Sequence, residues 1–137
     1  MAVEKVKELQ VKISNKPGAG AAVLAALKDA KVNLVAFCGY TEAKGKDAYL
    51  LMVPEDVAAA RNVLKKAGKK VGIKEIKTVD VLKVDLVNKA GALQDVLAKL
   101  ASVKVDVDYA YATAAAKKAV AILKVKPLGV KALKALG

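Results

Sequence analysis

The sequence predicts an α+β fold of two β-α-β-β-α-β units in tandem, each an antiparallel sheet with its helices on one face. Two observations carry that expectation. Asn15-Lys16-Pro17-Gly18-Ala19 returns as Asn88-Lys89-Ala90-Gly91-Ala92, and at this step of 73 residues the chain matches itself from Leu9 over Leu82 to Val63 over Leu136. About nineteen of roughly 55 pairs are identical against about six expected by chance, which marks an internal repeat. Each copy of the motif also ends an alternating apolar–polar stretch and opens one with helical spacing. The motif is a strand-to-helix elbow, used twice.

The elements follow in order. Leu9, Val11 and Ile13 alternate with Gln10, Lys12 and Ser14, as in a half-buried strand. Pro17 suits the first turn of a helix, where its missing N–H costs nothing. Val23, Leu24 and Leu27 give that helix an apolar stripe as far as Ala30. Val32–Thr41 and Ala48–Val53 read as strands. The connection Glu42-Ala43-Lys44-Gly45-Lys46 between them relies on Gly45 for its awkward backbone angle. Pro54, Glu55 and Asp56 open a second helix, with acidic side chains at the positive end of its dipole. Val57, Ala60, Val63 and Leu64 form its inner face, and Gly68 stops it. Val71–Val79 is the fourth strand. The layout is ferredoxin-like.

The second copy repeats this through strand Val81–Val87, a helix near Ala90–Val103, strands Val105–Ala112 and Ala119–Lys126, and a helix from Leu128. The expected domains are therefore 1–79 and 80–137. No fourth strand follows the last helix in the second copy. In the same register Val3 matches Ile76 and Val6 matches Val79, so residues 2–7 are expected to complete the second sheet.

Composition sets outer bounds. A length of 137 residues predicts about one domain, so two units of about 70 are expected to share a sheet or an apolar interface. Apolar content of 55% argues against disorder. No apolar run approaches the ~18 residues of a membrane span, and Met1–Lys7 holds no apolar signal-peptide core. The single Cys38 cannot form an internal disulfide, and a cytoplasmic protein is expected. The chain holds no His, which removes the imidazole base and the commonest metal ligand. Asp106 and Asp108 share a strand face and read as solvated polar residues; no catalytic group, metal or cofactor is expected. The net charge of +12 suggests an anionic partner, but Arg61 is the only arginine and the lysines are dispersed.

The elbow with its flanking strands, followed by Lys31-Val32-Asn33-Leu34-Val35, resembles the ACT domain, a small regulatory module of amino-acid metabolism. The chain looks like a free-standing tandem pair of them. The resemblance implies reversible binding of a small ligand, usually an amino acid, between ACT units. In the serine-binding form, an elbow Asn and a second Asn in the next strand hold the ligand. The matching positions are Asn15 and Asn33 in the first copy, and Asn88 and Asp106 in the second. The expected ligand set is Asn15, Lys16, Pro17, Gly18, Ala19 and Asn33, with Asn88, Lys89, Gly91, Ala92 and Asp106. One departure stands out: Gly20 replaces the large apolar residue that usually begins the first helix, whereas the second copy keeps Leu93. It weakens the turn by ~0.5–1 kcal/mol or makes room for something.

The chemistry of the elbow agrees. Backbone N–H groups at a helix start favour a carboxylate, and a side-chain amide can bridge carboxylate and ammonium. The plainer reading makes Asn15 and Asn88 helix N-caps. The expected function is a non-enzymatic, amino-acid-binding regulator, with an enzyme as a possible partner and no membrane. The alternative is nucleic-acid binding through a basic ferredoxin-like sheet. Against it, neither third strand carries the paired exposed aromatics of RNA-recognition folds, and Tyr109 and Tyr111 read as core. Val35, Phe37, Tyr49 and Leu51 are expected on the sheet face away from the helices, where they would join two copies as a homodimer.

Overall fold

The computed structural model describes residues 2–42 and 44–137; Met1, and Ala43 of the expected hairpin connection, lie outside the described residues. The elements are β1 (Ala2–Ser14), α1 (Ala19–Asp29), β2 (Leu34–Thr41), β3 (Asp47–Pro54), α2 (Val57–Ala67), β4 (Ile73–Val87), α3 (Ala92–Ser102), β5 (Asp106–Ala115), β6 (Lys118–Lys126) and α4 (Val130–Leu136). A short 3₁₀ turn over Gly68–Val71 separates α2 from β4, so Val71 belongs to the turn rather than to the strand. The chain divides into two compact units, Lys7–Val79 and Met1–Val6 with Asp80–Gly137. The boundary cuts both long strands, β1 between Val6 and Lys7 and β4 between Val79 and Asp80.

In the unit Lys7–Val79 the strand order is β2-β3-β1-β4. The pairings β1–β3 and β2–β3 are antiparallel. Leu9, Val11 and Ile13 meet Leu50 and Met52 on one face, where α1 adds Val23 and Leu27 and α2 adds Ala60 and Leu64. Each fully buried Leu or Val contributes about 1.5–3 kcal/mol, which secures helices that would be marginal in isolation. Asp56 caps α2 by accepting from the Ala59 N–H at 3.0 Å.

The other unit runs β1-β4-β6-β5, with residues Ala2–Val6 of β1 as its outer strand. Val3 packs on a core of Leu82, Val84, Leu123 and Val125 from the sheet and Val96, Leu100, Ala132 and Leu136 from the helices. Glu4 pairs with Lys83 at 3.5 Å.

Three expectations need correction. The repeat is not ungapped. Val11 pairs with Leu50, whereas Val84 pairs with Ala121, so the β5–β6 hairpin is two residues shorter than β2–β3. A β-bulge between Leu34 and Ala36 then resets the alternation of β2. Phe37 therefore pairs with Met52 on the helix side, and Leu51 is only 5% exposed. The open face expected from Val35, Phe37, Tyr49 and Leu51 does not form. What remains exposed is Val35 and Phe37 on β2, which has β3 as its only neighbour, and Tyr40, which stacks on Tyr49. Finally, the left-handed residue of the first hairpin is Lys44, not Gly45. Gly45 is required because a Cβ there would lie 2.9 Å from the Glu42 carbonyl.

Tyr109 and Tyr111 stack on each other at 6.5 Å, half-buried and outside the second core. Cys38 is a half-buried free thiol. Among the described residues there is no helix long and apolar enough to cross a membrane and no cluster able to hold a metal ion.

Candidate functional site

Each unit carries a cleft where its elbow meets the end of its hairpin, and the two are position-for-position counterparts. The first is lined by Ile13, Ser14, Asn15 and Lys16 of the elbow, Ala19 and Gly20 of α1, and Gly39, Tyr40, Thr41, Ala48 and Leu50 of the hairpin strands; its volume is about 380 Å³. The second is lined by Leu86, Val87, Asn88 and Lys89, by Ala92 and Leu93, and by Ala112, Thr113, Ala114 and Ala119; it holds about 190 Å³.

The helices begin at Ala19 and Ala92, not at the proline position. Pro17 lies in the turn before α1, because Gly18 and Gly91 are the N-caps and adopt φ of 84° and 87°. A side chain at either would be strained in that left-handed conformation. Neither glycine offers a side-chain cap, so the first-turn N–H groups of Gly20 and Ala21 face the cleft end of α1 without one. The positive end of the dipole lies there as well. Ala19 N–H returns to the Lys16 carbonyl at 3.2 Å, and Ala92 N–H to Lys89 at 3.2 Å.

Asn15 and Asn88 are therefore not N-caps. Asn15 donates from its backbone N–H to the Lys46 carbonyl at 2.8 Å and from Nδ2 to the Gly45 carbonyl at 3.1 Å. Asn88 does the same to Lys117 at 2.9 Å and Ala116 at 2.9 Å. Each amide latches an elbow to its hairpin and so fixes the width of the cleft. One N–H of each amide makes this bond, and its carbonyl oxygen is a hydrogen-bond acceptor.

The structure gathers Asn15, Lys16 and Ala19 in the first cleft and Asn88, Lys89 and Ala92 in the second. Pro17, Gly18 and Gly91 shape the turns without lining the clefts. Asn33 lies elsewhere in its unit: Nδ2 donates to Glu55 Oε1 at 3.0 Å, and the Glu55 N–H donates to the Asn33 carbonyl at 3.0 Å, beside the start of α2. Asp106 opens β5 opposite Lys126 and lines neither cleft. Gly20, Gly39, Tyr40 and Thr41 were absent from the expected set. Gly39 carried a signal, since a glycine inside an apolar strand marks close approach; a Cβ there would sit 3.3 Å from Leu50.

Electrostatics sharpen the first cleft. At the hairpin end Asp47 pairs with Lys74 and with Lys12 at 3.5 Å. The Lys74 hydrogen bond first, then the Lys74 and Lys12 charges, hold its carboxyl below the usual range. Burial first, then Tyr49 and Glu42, keeps the Tyr40 phenol above its ordinary value and hence protonated as a donor.

Residues 4–129 match the family model described as an ACT domain pair. Among solved structures, a Bacteroides thetaiotaomicron protein is 25% identical, with 98% of this chain and 88% of that chain covered and a TM-score of 0.86. The ligand-free regulatory subunit of aspartate kinase from Thermus thermophilus is 17% identical over 98% of this chain and 91% of that one, with a TM-score of 0.74. The corresponding subunit from Thermus flavus is 17% identical over 99% and 95%, with a TM-score of 0.67. The Thermus likenesses are of fold. No curated protein sequence matches the chain.

Proposed function

Because the chain belongs to the ACT domain pair family, a regulatory type of domain, we propose that it binds an amino acid in the elbow cleft of its first unit and acts without catalysis of its own. The observation that carries this reading is the size and lining of that cleft. Its volume of about 380 Å³ falls within the range of about 300–1,000 Å³ usual for small-molecule sites, whereas about 190 Å³ in the second falls short. The start of α1 offers N–H donors and a positive dipole for the α-carboxylate. The Asn15 amide oxygen and backbone carbonyls suit the ammonium, while Ile13, Ala48 and Leu50 supply an apolar floor.

In this reading the protein is cytoplasmic, in keeping with the unpaired Cys38. Its partner is an enzyme of amino-acid metabolism, the role held by the Thermus regulatory subunits whose fold it shares. Two copies associate along β2, where Val35 and Phe37 are 43% and 41% exposed beside unpaired backbone groups. A thermal-shift screen of the twenty amino acids tests the proposal. At a hundred times its dissociation constant the ligand stabilises the fold by about 2.7 kcal/mol; a flat response to all twenty refutes it.

A further inference from the structure

A second cleft of the unit Lys7–Val79 lies where α2 meets β1 and β4 and carries a different chemistry. It holds about 410 Å³ and is lined by Val57, Ala58, Arg61, Asn62 and Lys65 of α2 with Lys7 and Thr78 from the strands. Among the described residues no acidic side chain lines it. Arg61, the one arginine of the chain, is half-buried there, and its Nε is shielded from solvent with no hydrogen-bond partner among the described residues. A buried Nε fixes the side chain in place, and because Arg61 lines the cleft while only half-buried, its accessible part can meet an anion there. Lys65 stands one helical turn from Arg61 on the same face and, among the described residues, belongs to no ion pair.

We propose that this cleft is a binding site for a small phosphate monoester, distinct from the elbow. The guanidinium offers a planar fork matched to two phosphate oxygens, and Lys65 adds a point charge to a dianion. Asn62 and Thr78 supply neutral donors. Val57 and Ala58 form an apolar wall for the organic part. The repeat supports a dedicated site. At the same step Asp80 stands where Lys7 does, and beyond the shorter hairpin the half-buried position after core Ala132 is Leu133, where α2 has Arg61 after core Ala60, so the second unit repeats neither the fork nor the uniform positive lining. The cleft also gives part of the +12 charge a local use.

The test is a titration of the full chain with phenyl phosphate and with inorganic phosphate at constant ionic strength, followed by amide NMR. Both probes should shift residues 57–65 and 78, and phenyl phosphate should bind more tightly through the apolar wall. Arg61→Gln should weaken its apparent Kd about ten- to a hundredfold, the worth of a charged bidentate contact. Arg61→Lys keeps charge and fold but not the fork, and should weaken binding by about tenfold. Gly20→Leu, which alters only the elbow cleft, should leave it unchanged. Three results overturn the proposal: equal shifts with chloride or acetate at matched ionic strength, undiminished binding in both Arg61 variants, or shifts that Gly20→Leu abolishes. Absence of any response to either phosphate overturns it as well. The amino-acid screen is read separately, so either site can fail alone.

Discussion

The two elbow clefts share one backbone plan and differ in what fills it. Both have an asparagine latch to the hairpin, a left-handed glycine before the helix, and an alanine at the first helical position. The first then places Gly20, Gly39 and Tyr40 where the second places Leu93, Ala112 and Thr113. A Cβ on Gly20 would meet nothing within 4 Å, so that space is open, while Leu93 occupies its counterpart and is itself 37% exposed. The second cleft has half the volume, with bulkier side chains at these positions and a hairpin two residues shorter. Duplication supplied the elbow twice, and the residues and hairpin length that follow it set how much space each copy leaves.

The largest effect expected is from exchanging those choices. Gly20→Leu should abolish the ligand-induced thermal shift while raising intrinsic stability by about 0.5–1 kcal/mol, because Leu is the better helix former. Leu93→Gly should do the reverse to stability and open a second site, doubling the stoichiometry seen by calorimetry. Retained response in Gly20→Leu would remove the elbow cleft from consideration. The edges of the sheets offer the next contrast. Positions of Val35 and Phe37 in the first unit are taken by Asp108 and Ala110 in the second. Phe37→Glu should therefore yield a folded monomer in sedimentation; a wild-type chain already monomeric at high micromolar concentration would refute association along β2.

The latches give a smaller and more symmetric effect. Asn15→Ala and Asn88→Ala each remove one exposed hydrogen bond to a hairpin carbonyl, worth about 0.5–1.5 kcal/mol. Only Asn15→Ala should also lose ligand response, and equal loss in both would mean that the second cleft binds too. The smallest effect is with pH. The Asp47 carboxyl is held below its ordinary value of 3.8, so its contribution is fully present above that value and lost as pH falls through the depressed one. Lys118 stands at its counterpart, pairing with Val87 as Asp47 pairs with Ser14. As pH falls below about 3.8, amide protection should drop at the first hairpin before the second, and Asp47→Asn should erase the difference.

Much of the architecture was legible in the residues. Alternation located the strands, apolar spacing the helices, and Gly68 and Asp56 the ends of α2. What escaped depends on partners distant in the chain or on single-residue insertions. The Asn15 amide looked like a cap because a cap is local; its true acceptor is thirty residues away. The bulge between Leu34 and Ala36 moved Phe37 to the other face of the sheet, since a slip of one residue inverts a period of two. The helix start moved from Pro17 to Ala19 because the left-handed Gly18 must turn the chain first. Asn33 matched a motif but lies at the other end of β2 from the cleft, beside Glu55. Gly39 was the site residue most easily overlooked, because its contribution is empty space; Gly20 stood out only against Leu93 of the second copy.

The boundary that cuts β1 and β4 sets the order in which the protein can be completed. Residues 2–6 are synthesised well before their partners, from Lys83 to the core around Leu123. The nascent segment must wait, with Val3 and Val6 exposed, while some seventy intervening residues fold between them and their place. That delay is bridged by the first unit itself. Its outgoing ends, Lys7 and Val79, lie on neighbouring strands, so its folding draws the two flanking segments together and lowers the entropy of the closure they still have to make. Residues 2–6 thus find their seat only after the unit that follows them has folded, and that unit is the splint that brings them there.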